Sequence, residues 1–132
     1  RALNQTFRAS ASAPAGMEFV VFGPNDDSSY DLRKTIDIFS GAAVVVGVHG
    51  AGLTNMLFMP PGSRVLELAL PEPCFRDYMH LAAAMNHVYA AMVLPPKTYN
   101  SAVAVDVDEA SAHFAALLSA DDEKRTQKFG DF

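Results

Sequence analysis

From Ala42 to Val48 the chain reads AAVVVGV, an apolar and largely β-branched run with no polar residue at alternate positions. A strand that faces water on one side alternates apolar and polar side chains. A run without alternation is therefore covered on both faces, as in a parallel sheet sandwiched between helices. We expect a central strand. It leads directly into His49-Gly50-Ala51-Gly52, an apolar segment from Leu53 that stops at Pro60-Pro61-Gly62, and a second apolar run from Arg64 to Leu70. Strand, tight turn, helix start and strand make one parallel crossover, with the turn at the carboxyl edge of the first strand. Main-chain N–H groups and a helix N-terminus converge there, and an anion, most often a phosphate, is the natural occupant.

The remaining pattern extends this plan. Leu3 to Ala13 is compatible with a short helix ended by Pro14-Ala15-Gly16, and Met17 to Phe22 reads as a strand. Gly23 to Ser29 has the composition of a loop, with Ser29 or Asp31 able to cap a helix whose apolar face is Leu32, Ile36 and Phe39. After the crossover, Leu53, Met56, Leu57 and Met59 form one face of a short helix. Phe75 to Met85 reads as a helix, His87 to Leu94 as a strand, Val103 to Val107 as an edge strand, and Ala110 to Leu118 as a helix packed back on the sheet. The expected class is α/β, a Rossmann-like parallel sheet with helices on both faces. Residues 1–120 would form one such Rossmann-like domain lacking its first strand, with 121–132 a polar tail.

Composition limits the partners. With 132 residues, half of them hydrophobic and 19% charged, the chain has enough apolar surface for one compact domain. A net charge of −5 disfavours a surface that neutralises many backbone phosphates, so no nucleic-acid partner is expected. Cys74 is the single cysteine, which excludes an intrachain disulfide and a cysteine zinc cluster. No apolar run approaches the ~18–20 residues of a membrane-spanning helix. The polar opening at Arg1 reads as part of a longer protein.

The candidate chemistry gathers at the turn. Gly50 and Gly52 remove side chains where a diphosphate would approach the main chain, while Leu53, Thr54 and Asn55 would offer amides in the first helical turn. Alternatively, the two glycines serve only tight packing. The absence of a Walker lysine argues against nucleoside triphosphate hydrolysis. His49 can donate to a phosphate oxygen or lock the turn through a loop carbonyl. Glu67, near the carboxyl end of its strand, can accept from both hydroxyls of a ribose, or else bridge to Arg64 or Arg33. His80 and His87 are badly placed for a shared metal, His113 reads as solvated, Asp26-Asp27 as caps, and Asp106 and Asp108 as strand-end turn residues. No metal site is expected.

The stretch Gly47 to Leu68, GVHGAGLTNMLFMPPGSRVLEL, resembles the signature of glycosyltransferase family 61, a group that includes plant xylan arabinosyl- and xylosyltransferases and animal protein O-linked N-acetylglucosaminyltransferases. A looser likeness runs upstream through Ile38-Phe39-Ser40-Gly41-Ala42 to Leu3-Asn4, and beyond Pro71 only the general layout is shared. The resemblance implies the C-terminal, donor-binding half of a GT-B-type enzyme, with two Rossmann-like domains facing a cleft. It also implies transfer of a sugar from a nucleotide-sugar donor, a UDP-sugar first of all, to a glycan or glycoprotein acceptor with inversion. On this basis His49, Gly50, Ala51, Gly52, Leu53, Thr54 and Asn55 would cradle the donor diphosphate and Glu67 would contact the nucleoside, with no obligatory metal cofactor. The catalytic base would come from an N-terminal domain of the same protein. The setting implied is the Golgi or endoplasmic reticulum lumen, the membrane anchor lying outside these residues. The competing expectations are a non-enzymatic nucleotide-binding module and a dinucleotide oxidoreductase domain, the latter disfavoured because the GxGxxG spacing is absent.

Overall fold

The computed structural model describes residues 16–23, 31–71, 76–96 and 104–120. They form a three-stranded parallel sheet in the order β1 (Val44–Val48), β2 (Arg64–Ala69), β3 (Val88–Val93). Helix α1 (Leu32–Ser40) precedes β1, a 3₁₀ helix (Ala51–Phe58) links β1 to β2, α2 (Asp77–Ala84) links β2 to β3, and α3 (Val107–Ser119) follows. The expected α/β class, a Rossmann-like parallel sheet flanked by helices, is what the chain adopts.

The two faces of the sheet carry separate cores. On one, Phe39 of α1, Leu53 and Met56 of the 3₁₀ helix, Met59, and Ala82 of α2 pack on Val65, with Val45 and Tyr89 alongside. On the other, Ala110, Phe114 and Leu117 of α3 pack on Leu66, Leu68 and Met92. Side-chain alternation along β2 explains the division, since Val65 points one way and Leu66 and Leu68 the other. The central strand is β2, whose Val65 to Leu68 are all buried. The run expected to be central, β1, flanks it instead. Its alternation is still suppressed because Val45 joins one core while Val44 and Val46 join the other.

Several local expectations are corrected. Met17 to Phe22 forms no strand; Phe19 packs against the α3 core and Phe22 against the opposite one, its ring 5.2 Å edge-on from Phe39. Helix α1 buries Thr35 and Phe39, whereas Leu32 and Ile36 are exposed. Thr35 tolerates burial because its hydroxyl donates to the Asp31 carbonyl at 3.0 Å. Asp31 is the N-cap, accepting from the amides of Arg33 and Lys34.

The edge strand expected at Val103 to Val107 is not formed over its described part: 104–106 have no regular structure and α3 begins at Val107. Asp106 is the N-cap of that helix rather than a strand-end residue and accepts from the amides of Asp108 and Glu109, both at 3.0 Å. Helix α2 ends with Asn86 at φ 58°; the Asn86 amide donates to Ala83 and the His87 amide to Ala82. This is a Schellman-type closure with asparagine in the left-handed position. The readings of Leu3 to Ala13, Asp26-Asp27, Cys74 and the 121–132 tail lie outside the described residues.

Candidate functional site

The loop after β1 lies at the carboxyl edge of the sheet, where open α/β sheets place their ligand sites. The His49 amide donates to the Leu68 carbonyl at 3.0 Å, carrying the β1–β2 ladder one step past the end of β1 and fixing where the loop begins. Gly50 precedes the 3₁₀ helix as its N-cap. A Cβ built on Gly52 meets nothing within 4 Å among the described residues, so they leave the space in front of it open. Gly47 differs: a Cβ there would lie 2.9 Å from Leu53 Cδ2, so this glycine lets the 3₁₀ helix lie against the strand.

The expected α-helical start is a 3₁₀ helix, and this changes which amides face the loop mouth. Bonding reaches back three residues, so the Leu53 amide donates to the Gly50 carbonyl at 3.0 Å. The donors that precede the helical ladder are those of Gly50, Ala51 and Gly52. The Leu53 side chain is buried in the core, Thr54 is exposed and Asn55 half-buried. The three-residue period also explains why Leu53, Met56 and Met59 are buried while Leu57, expected on the same face, is exposed.

Behind the loop is a polar cluster. Glu67 sits within the buried stretch of β2 with 1% of its surface accessible. His49 Nδ1 donates to its Oε1 at 2.5 Å, and the Tyr89 hydroxyl donates to its Oε2 at 2.6 Å. A buried carboxylate requires such partners, and these two bonds engage both oxygens. Each oxygen keeps a further lone pair beyond these bonds, and the carboxylate makes no bridge to Arg64 or Arg33. Arg64 instead donates to the carbonyls of Leu117 and Ala120 at the end of α3. The His49 ring also meets Tyr78 of α2 edge-on, with centroids 5.2 Å apart. Its side chain is 21% exposed, against 2% for Glu67, so the pair runs from the loop mouth into the core.

Sequence reasoning missed Tyr89 and Tyr78. The available signal for Tyr89 was a hydroxyl-bearing residue in a strand beside one carrying an acid, but the register that joins them is a tertiary fact. The other histidines are elsewhere. His87 is buried, its Nε2 donating to the Met56 carbonyl at 3.0 Å, and its Nδ1 has no hydrogen-bond partner among the described residues. His80 is exposed on α2, and His113 lies 4.0 Å from Glu109 one helical turn away. Among the described residues no group of three or more His, Cys, Asp or Glu is arranged to hold a metal ion. No helix of the described residues is long and apolar enough to cross a membrane.

The fold and the loop define a Rossmann-like α/β protein with polar groups gathered at the carboxyl edge of its sheet. The pattern of the family Glycosyltransferase 61 matches residues 3–66, and over this segment the chain is similar to that family. The segment contains α1, β1, the His49 loop and the 3₁₀ helix, whereas Glu67 and Tyr89 follow it. The chain is also similar to a xylan glycosyltransferase of Arabidopsis thaliana, with 32% identity over 65 residues. That match covers 49% of this chain and spans only 13% of the length of the relative. No solved structure shows a significant match.

Proposed function

We propose that this chain is the donor-binding portion of an inverting glycosyltransferase, taking a nucleotide sugar, with a uridine diphosphate sugar as the first candidate. The observation that carries this reading is the position of His49, immediately before the Gly50 N-cap of the 3₁₀ helix, at the carboxyl edge of a parallel sheet in a segment similar to glycosyltransferase family 61. In this proposal the amides of Gly50, Ala51 and Gly52 meet the diphosphate, His49 adds a ring nitrogen, and Thr54 and Asn55 border the site. Leu53 supports it from the core, and Glu67 acts from behind His49. Donors fixed in place before reaction stabilise the charge that grows on the departing nucleoside diphosphate without reorganising, and no metal is obligatory for that.

Deprotonation of the acceptor hydroxyl is assigned to an N-terminal domain of the same protein. The name of the Arabidopsis relative supports a glycan acceptor, xylan being the first to test. The likeness to glycosyltransferase family 61 favours a secretory-pathway setting in the Golgi or endoplasmic reticulum lumen.

Calorimetric titration of the chain with uridine diphosphate, in the presence and absence of a chelator, tests the donor reading. Saturable binding that His49→Ala weakens and the chelator leaves unchanged is expected. Binding of NAD in preference to uridine diphosphate, or binding of neither, rejects it. Activity on xylan is to be assayed with the longer protein.

A further inference from the structure

Glu67 stands in register with Gly47 on one side and Ala91 on the other, two residues with no side chain larger than a methyl group. That leaves room beside the carboxylate on the face shared with the 3₁₀ helix. His49 follows Gly47 by two positions and Tyr89 precedes Ala91 by two, so strand alternation brings both to this face on opposite diagonals of Glu67. The result is a chain of hydrogen bonds, Tyr89 hydroxyl to Glu67 to His49, that begins on β3, crosses the central strand and ends at the loop. Tyr78 of α2 contacts the same imidazole edge-on and restrains its plane from another side.

An acid in the middle of a buried strand is an expensive way to fill space, since an apolar side chain of similar volume is often as stabilising or more so. What the acid adds is a direction. By accepting from Nδ1 it fixes which edge of the imidazole faces inward, as outer-shell carboxylates do for ligating histidines.

We propose that Glu67 and Tyr89 are positioning residues for donor binding: Tyr89 anchors the carboxylate, and the carboxylate holds His49 with Nδ1 inward and Nε2 toward the diphosphate. This rests on the reading of the His49 loop as the donor site. Tyr89 never touches the donor; it acts through Glu67 and His49.

The test combines long-range proton–nitrogen spectra of the His49 ring with calorimetric titration by uridine diphosphate. It uses this chain and its Tyr89→Phe, Glu67→Gln, His49→Ala and His49→Ala/Tyr89→Phe variants, each checked for retained circular dichroism. A protonated Nδ1 is expected in the parent chain, with the ring signals altered in Glu67→Gln and in Tyr89→Phe. Affinity should fall about tenfold in Glu67→Gln, the lower end of what outer-shell partners contribute, and by a smaller factor in Tyr89→Phe. In the His49→Ala background Tyr89→Phe should cause no further loss, because a residue that works through another contributes nothing once that other is gone.

Unchanged ring signals in Tyr89→Phe, or an equal loss of affinity with and without His49, overturns the positioning role while leaving the donor site standing. Unchanged affinity in His49→Ala removes the donor-site reading itself, and the purpose of the clamp with it.

Discussion

Gly47 and Leu53 touch across the turn: a methyl group on Gly47 would come within 2.9 Å of Leu53 Cδ2, and Leu53 is 3% exposed. The glycine nearest the strand is therefore a packing residue, while the glycines of the loop proper face open or ordinary contact distances. We expect Gly47→Ala to destabilise the fold by about 1–3 kcal/mol, the usual consequence of overpacking a closed core. Urea unfolding measures it, and a loss below a few tenths of a kcal/mol would mean that Leu53 moves aside freely.

Gly52→Val is the complementary substitution. Among the described residues, nothing outside its own helix backbone and chain neighbours lies within 4 Å of the added Cβ, so stability should change by no more than about 0.5 kcal/mol, as for an ordinary surface position. Uridine diphosphate affinity should nevertheless fall about tenfold, or ~1.4 kcal/mol. Intact binding by a folded Gly52→Val chain would show that the donor does not approach this part of the main chain.

Met56 and Leu57 are neighbours with opposite fates. Met56 is fully buried and Leu57 is 43% exposed, which follows the three-residue period of the 3₁₀ helix. Met56→Ala should cost about 2–5 kcal/mol by cavity formation, and Leu57→Ala less than about 1 kcal/mol. Thermal unfolding of the two variants side by side checks the contrast. Similar losses at both positions would restore the α-helical phase.

Asn86 takes a left-handed conformation after α2, with φ 58°. Replacement by alanine should cost about 1–2 kcal/mol, the usual penalty for a Cβ in that conformation. Asn86→Gly should leave the unfolding midpoint unchanged or raise it. A glycine variant less stable than the alanine one would indicate a role for the asparagine side chain beyond its backbone.

The parts of the fold that were legible in the sequence are those governed by apolar runs with sharp ends. The strands of the crossover and the turn at His49 to Gly52 follow from the valine run, the glycines and the Pro60-Pro61-Gly62 stop. The type of the linking helix did not, because Leu53, Met56 and Met59 satisfy a period of three as well as they satisfy an α-helical face, and only packing against Gly47 and Val65 separates the two. Met17 to Phe22 has strand composition, yet its phenylalanines go to opposite cores without ladder pairing. Asp106 was read as the end of a strand because a cap and a turn residue look alike until the following helix is in place. At the site, His49 and the glycines were visible from spacing. The partners of Glu67 were not, since they come from strands whose register no local pattern encodes.

The hold of Arg64 on the last carbonyls of α3 spans 53 positions of sequence and joins the first residue of the central strand to the final described helix. A helix end secured this way does not fray independently, because opening it takes two acceptors from a half-buried guanidinium. Amide exchange in that terminal turn should therefore follow the opening of the whole sheet. The end of α3 becomes a reporter for the integrity of the strand that carries Glu67.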